Sequence, residues 1–220
     1  MRGVFDIIGP IMIGPSSSHT AGAVRLGLIA RRILGEEPVK VEINLHGSFA
    51  RTYKGHGTDK ALIAGILGFA TDDERIKDAL LLASEKGIIY QFKKVDLGAV
   101  HPNTAVIYLT GINGRTTRII GASVGGGNIL ITNIDGYDVE LTGQYPALIT
   151  IHHDCPGVIT KVTSILAKYA INVAFMRVSR QSRGAEALMI LEVDDVLTEA
   201  VVAECQMVDE LENAFCIPAI

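Results

Sequence analysis

Ala147-Leu148-Ile149-Thr150-Ile151-His152-His153-Asp154-Cys155-Pro156-Gly157 opens the part of the chain whose pattern decides the fold. Residues 147–152 predict a strand, and Asp154-Cys155-Pro156-Gly157 predicts a strand-to-helix turn in which proline presets φ and glycine admits positive φ. Apolar spacing then predicts a helix to about Tyr169, a strand over 172–178 and a loop at Ser182-Arg183-Gly184. A strand over 187–193, a helix from Thr198 and a last strand near 214–218 follow. The order βαββαβ is the ferredoxin-like plan.

Toward the N-terminus the pattern changes. Residues 21–34 predict a helix with Leu26, Ile29 and Ile33 on one face, and Gly22 and Gly27 allow close packing. Val39, Val41, Ile43 and Leu45 alternate with Lys40, Glu42, Asn44 and His46, the mark of a half-buried strand. A second helix is expected from Thr58 to near Gly68. A third is expected to open with Thr71-Asp72-Asp73-Glu74 as a capping box and close at Gly87, before a strand over 88–92. His101-Pro102-Asn103-Thr104 is expected to open an edge strand. Asn113-Gly114 and Asp135-Gly136 each predict a tight hairpin between antiparallel strands. The fold class is therefore α+β, a mixed α/β N-terminal domain followed by a βαββαβ domain. Residues 1–145 carry 15 basic and 14 acidic side chains and residues 146–220 carry 5 and 10, which places the expected domains at 1–145 and 146–220.

The 220 residues are 48% hydrophobic, enough for a core in each part. With 5% aromatics, no Trp and a net charge of −4, nucleic-acid binding is not expected. Mean hydropathy is +0.32, yet the long uncharged stretches at 7–24 and 97–114 are broken by Pro, Ser, His, Asn or Gly, so no membrane span is expected. Asp6 interrupts the apolar region a secretory signal would need, and three widely spaced cysteines suit a reducing compartment; the expected location is the cytoplasm.

The densest polar constellation is Ile13-Gly14-Pro15-Ser16-Ser17-Ser18-His19-Thr20-Ala21-Gly22, at the start of the first helix. There, side-chain donors join free backbone N–H groups at the positive end of the helix, a good seat for a carboxylate or phosphate. One serine suffices for a cap; Ser16, Ser17 and Ser18 followed by His19 and Thr20 exceed that need and point to a site. The second constellation is Lys54-Gly55-His56-Gly57-Thr58-Asp59-Lys60. Its glycines let backbone approach a ligand closely, His56 is a candidate base, and Asp59 either orients the imidazole or interacts with the helix start. Ser123-Val124-Gly125-Gly126-Gly127-Asn128 reads equally as an anion cradle or as a strand bulge, and it lacks the Lys-Ser or Lys-Thr of a phosphate loop. At Asp154-Cys155-Pro156-Gly157, backbone N–H groups could hold an amino-acid carboxylate and Asp154 an ammonium, with Asn172 opening the next strand; the same residues also make a good turn in any fold.

No metal ligand is expected on this chain. Cys155, Cys205 and Cys216 lie on three separate elements without paired spacing, and none of the histidines at 19, 46, 56, 101, 152 and 153 forms the usual helical pair with a third ligand.

The combination of Ile13 to Thr20, Lys54 to Lys60 and Ser123 to Gly127 resembles the beta chain of the two-subunit, iron-sulfur-dependent L-serine dehydratases, over essentially the whole length. Residues 147–220, with Asp154-Cys155-Pro156-Gly157 and Ile171-Asn172-Val173, resemble an ACT domain, an amino-acid-sensing module; Cys155 stands where arginine is more usual. The resemblance implies an alpha chain that carries a four-iron, four-sulfur cluster, and joint conversion of L-serine to pyruvate and ammonia. It also implies roles at named positions. His56 and His19 are the expected catalytic side chains, His56 either assisting proton transfer or positioning the substrate at the subunit junction, and Ser16, Ser17, Ser18 and His19 would grip the substrate carboxylate. Thr20 and Ser123 would add to the substrate site, with Lys54 and Asp59 behind it. Asp154, Gly157 and Asn172 would bind a regulatory amino acid, and the ACT domain would join chains. Residues 1 to about 145 also look like the substrate-sensing domain of some phosphoglycerate dehydrogenases, so a purely regulatory binding protein is the alternative.

Overall fold

The computed structural model describes residues 16–220, so Ile13-Gly14-Pro15 and the N-terminal readings before them lie outside the described residues. The chain divides into two compact units between Asp135 and Gly136.

In the first unit a short π-helical turn, Ser17–Ala21, runs into α1 (Gly22–Leu34). Then come β1 (Pro38–Leu45), α2 (Gly47–His56) and α3 (Thr58–Ile66), followed by a 3-10 turn, Glu74–Asp78, and α4 (Ala79–Glu85). The strands β2 (Ile89–Lys94), β3 (Thr104–Gly111), β4 (Thr116–Gly125) and β5 (Asn128–Ile134) complete it. Their order is β2-β1-β3-β4-β5. β1 and β2 are parallel, and the other neighbours are antiparallel.

β1 alternates from Lys40 onward, with Val41, Ile43 and Leu45 buried, whereas Val39, expected on the same face, is exposed beside the register shift between Pro38 and Lys40. α1 packs against β3, β4 and β5 with Leu26, Ile29 and Ile33 buried, and Gly35 ends it with φ +75°, the left-handed cap that glycine adopts without strain. Its other side crosses α3 so closely that a Cβ on Gly27 would lie 2.2 Å from the Leu62 carbonyl oxygen, and one on Gly65 would lie 2.0 Å from that of Val24. This reciprocal glycine contact sets the spacing between the helix that follows His19 and the helix that follows His56.

One helix is added and two local expectations are corrected. Residues 47–56, for which the spacing predicts no element, form α2; the helix buries only Phe49 and Ala50 through its own length, too little to print a helical period on the sequence. The cap before α4 is Asp73, whose carboxylate accepts from the Arg75 backbone N–H at 2.9 Å, so a 3-10 turn replaces the expected capping box at Thr71. Finally, β3 lies between β1 and β4 and is not an edge strand; Pro102 precedes the ladder and withholds no N–H from it. Gly125, Gly126 and Gly127 all have positive φ and join β4 to β5 beside a register shift, which is the bulge reading of that cluster.

The second unit contains β6 (Tyr137–Leu141), β7 (Ala147–His153), α5 (Val158–Lys168), β8 (Val173–Arg180), β9 (Glu186–Val193), α6 (Glu199–Gln206) and β10 (Leu211–Ile217). The last six give the βαββαβ succession, with antiparallel strands in the order β10-β7-β9-β8. Val158, Val162, Ile165 and Leu166 form the buried stripe of α5 at i, i+4, i+7 and i+8. Val162, Ile165 and Leu166 share a core with Leu148, Met189, Leu191, Val193 and Val201. β6 belongs to this unit. The Arg177 guanidinium donates to Glu140 at 2.7 Å, the Tyr137 hydroxyl donates to Glu186, and the Thr142 hydroxyl donates to Glu192 at 2.8 Å. No helix among the described residues is long and apolar enough to cross a membrane.

Candidate functional site

The π-helical turn ahead of α1 carries the first half of the site. Ser16 takes an extended conformation as its N-cap, and its hydroxyl accepts from the His19 backbone N–H at 3.3 Å. The same hydroxyl lies 3.3 Å from His19 Nδ1, while the Ser48 hydroxyl lies 3.2 Å from His19 Nε2. Both ring nitrogens of His19 are thus held by hydroxyls. Phe49 meets the ring edge-on at 5.3 Å between centroids, and His56 does so from α2 at 4.8 Å. Burial, and secondarily the neighbouring His56, holds the His19 pKa below the usual imidazole value, so this ring is neutral at neutral pH.

His56 is exposed and is the last residue of α2. Gly57 then turns the chain with φ +69° directly into α3, a conformation that favours glycine. Next comes Thr58, fully buried, and Asp59, of which 9% remains exposed. Burial raises the Asp59 carboxyl pKa against the lowering effect of the Lys60 backbone N–H, which donates to it at 2.9 Å. Asp59 therefore sits in the first turn of α3. Lys54 is exposed, with Nζ 5.9 Å from the Tyr53 ring centroid.

A second layer lies behind the turn. Ser123 is fully buried, and a Cβ on Gly22 would meet its Oγ at 2.1 Å, so this hydroxyl lies directly against the first turn of α1. The Ser123 N–H donates to the Asn103 carbonyl at 3.1 Å. The side-chain oxygens of Thr20, Thr58, Asn103 and Ser123 are buried with no hydrogen-bond partner among the described residues. Buried hydroxyls are ordinarily satisfied, so these carry unused capacity beside the two loops.

The structure therefore brings Ser16, His19 and His56 together, backs them with Thr20 and Ser123, and places Asp59 at the base of α3. Ser17 and Ser18 are half-buried within the same turn, where the Ser17 carbonyl accepts from the Gly22 N–H. Lys54 lies on the exposed side of α2. Sequence reasoning missed Ser48 and Phe49, which reach His19 because residues 47–56 are helical; the available signal was Gly47-Ser48 following directly on an alternating strand.

In the second unit, Asp154 Oδ2 accepts from Arg180 at 2.7 Å and from the Gly184 N–H at 3.0 Å. These contacts, the Gly184 N–H first, hold its carboxyl below the usual range. Gly157 has φ +98° and caps α5. Asn172 donates to Asp194 at 2.7 Å beside the Val173–Val193 pair, whereas Asp154 follows the His153–Glu186 pair at the opposite end of the sheet. One chain does not bring Asp154 and Gly157 together with Asn172. His152 is buried and His153 is exposed, on opposite strand faces.

The cysteines do not fit an iron-sulfur cluster. All three lie in the second unit on a turn, on α6 and on β10, and burial pushes the Cys205 thiol up to about 11. Among the described residues no three His, Cys, Asp or Glu side chains are grouped to hold a metal ion.

Comparison with known proteins agrees with both units. Residues 3–133 match the serine dehydratase beta chain family, and residues 148–212 match the AHAS small subunit-like ACT domain. The chain is 49% identical over 203 residues to "Probable L-serine dehydratase, beta chain" of Bacillus subtilis (strain 168), covering 92% of each. It is 42% identical over 197 residues to "L-serine dehydratase, beta chain" of Peptoniphilus asaccharolyticus, covering 89% of each. It is also 28% identical over 202 residues to a D-3-phosphoglycerate dehydrogenase of Synechocystis sp., covering 89% of this chain and 35% of that protein. With the family match spanning more than half of its length and full-length relatives at this identity, the chain belongs to the serine dehydratase beta chain family.

Proposed function

We propose that this chain is the beta subunit of an L-serine dehydratase, an L-serine ammonia-lyase that acts with an alpha chain to convert L-serine to pyruvate and ammonia. The observation that carries the reading is the 4.8 Å approach of His19, in the turn ahead of α1, and His56, the last residue of α2. Since the cysteines of this chain do not fit a cluster, the four-iron, four-sulfur cluster is assigned to the alpha chain, where it would assist departure of hydroxide.

What this chain contributes follows from its own groups. The N–H groups at the start of α1, with Ser16, Ser17, Ser18 and Thr20, bind the substrate carboxylate, and Ser123 supports that turn from behind. His56, exposed beside the neutral His19, takes the α-proton as the Cβ–O bond breaks. The enamine released tautomerises and hydrolyses to pyruvate and ammonia. Lys54 and Asp59 act behind this layer through charge. Mixing this chain with its alpha chain under anaerobic, iron-replete conditions should give serine deamination. His56→Ala with full turnover would remove His56 from the mechanism.

The ACT-type unit is proposed to bind serine as a regulator through Asp154, Gly157 and Asn172. Because these lie at opposite ends of one sheet, a site using all three forms between two copies, which makes homo-association through this unit part of the proposal. The location proposed is the cytoplasm, and the proposed domain roles are catalysis for 1–145 and regulation for 146–220.

The likeness to D-3-phosphoglycerate dehydrogenase over most of the chain favours a second reading, a regulatory amino-acid-binding protein without catalytic groups. Substituting His19 and His56 separately discriminates. Lost turnover with preserved assembly supports catalysis, and an altered serine response with intact maximal rate supports regulation.

A further inference from the structure

We propose that Ser48 is a positioning residue whose hydroxyl accepts the Nε2 proton of His19, fixing the tautomer of that imidazole and its edge-on stance toward His56. Its bearing on turnover rests on the dehydratase reading; its effect on the tautomer does not.

The support begins with the backbone. Gly47 has φ +55° and packs so tightly that a Cβ there would lie 2.6 Å from the Pro102 carbonyl oxygen. That carbonyl accepts from the Ser48 N–H at 2.7 Å, and the Ser48 carbonyl accepts from the Thr52 hydroxyl at 2.9 Å. Phe49, fully buried, fixes the next position and packs on the His19 ring. Ser48 is thus held from both sides by groups of β3's approach and of α2, and its hydroxyl is delivered to Nε2 at 3.2 Å.

Hydroxyls at both ring nitrogens can hold either tautomer, and the proposed one is set by where the Ser16 hydrogen goes. A neutral imidazole has one N–H and one acceptor nitrogen, and the partner of each decides which is which. Ser16 uses one of its two lone pairs for the His19 backbone N–H, and in the proposed arrangement its single hydroxyl hydrogen goes to Nδ1 at 3.3 Å. Nδ1 is then the acceptor, and Nε2–H donates to Ser48.

The test uses the ¹⁵N-labelled full chain and the enzyme reconstituted with the alpha chain. Long-range proton–nitrogen correlation should show His19 in the Nε2–H form, and Ser48→Ala should turn it into a mixture of tautomers. In the reconstituted enzyme Ser48→Ala should lower kcat/KM by about five- to tenfold, the scale of one hydrogen bond, and Ser48→Thr should restore most of it. A wild-type His19 in the Nδ1–H form overturns the proposal without any variant, as does Ser48→Ala that leaves the tautomer and kcat/KM unchanged. If His19→Ala keeps full turnover while the wild-type tautomer is as stated, the catalytic reading of His19 fails and the positioning of its ring stands.

Discussion

Replacing Gly65 by alanine tests the arrangement on which the site depends. In α3 a Cβ at this position would lie 2.0 Å from the Val24 carbonyl oxygen and 2.6 Å from the Leu28 nitrogen. Both obstacles are backbone of α1, so no side chain can swing aside. Restoring even a tight 3.0 Å contact requires the helices to part by about 1 Å, against a core that is close-packed on the other side. Overpacking of this kind costs about 1–3 kcal/mol, and a backbone-on-backbone clash belongs at the upper end. Alanine recovers about 1 kcal/mol through its helix propensity, leaving a net loss of about 2 kcal/mol. Gly55 in α2 is the internal control, since nothing lies within 4 Å of its Cβ position and its φ is not positive. Gly55→Ala should therefore stabilise by up to about 1 kcal/mol. For a chain of this size the expected changes in thermal midpoint are roughly 4–8 °C downward for Gly65→Ala and roughly 2–4 °C upward for Gly55→Ala, read by differential scanning calorimetry of the full chain. If Gly65→Ala proved as stable as Gly55→Ala, the close crossing of α1 and α3 would be refuted, together with the idea that it sets the distance between the two histidine loops.

Ser123→Ala should leave stability unchanged or slightly higher, because the hydroxyl removed is buried without a protein partner; in the reconstituted enzyme it should raise KM for serine, measured by pyruvate release. His19 and His152 both have pKa values lowered chiefly by burial. Their contribution to stability is complete above the unfolded imidazole value of about 6.5 and is lost as pH falls from there through their lower folded values. Urea titrations should show stability falling between pH 7 and pH 5, and His19→Gln should flatten part of that slope.

The candidate site was legible in its chemistry before its geometry. Ser16 and His19, then His56, announce themselves as polar side chains crowded against glycines and a helix start, where capping needs fewer. Ser48 carries no such signal. It is one serine 29 positions beyond His19, and only the folding of residues 47–56 into α2 brings it to Nε2. The regulatory residues show the reverse: Asp154, Gly157 and Asn172 form a convincing motif along the chain, yet the antiparallel sheet carries Asn172 to the end away from the other two.

What the amino-acid order determined alone is whatever a few neighbouring residues decide. The alternation of β1 and the apolar stripe of α5 are written in local spacing. So is the Asp135-Gly136 turn, whose φ angles of +51° and +94° answer to the two residues that tolerate them. Tertiary structure decided the partners. That β3 is central, that Gly27 and Gly65 face each other, and that a serine and two histidines share one corner all depend on contacts between distant segments. Such contacts form because whole faces must be buried together, and no short window of sequence contains both sides of them.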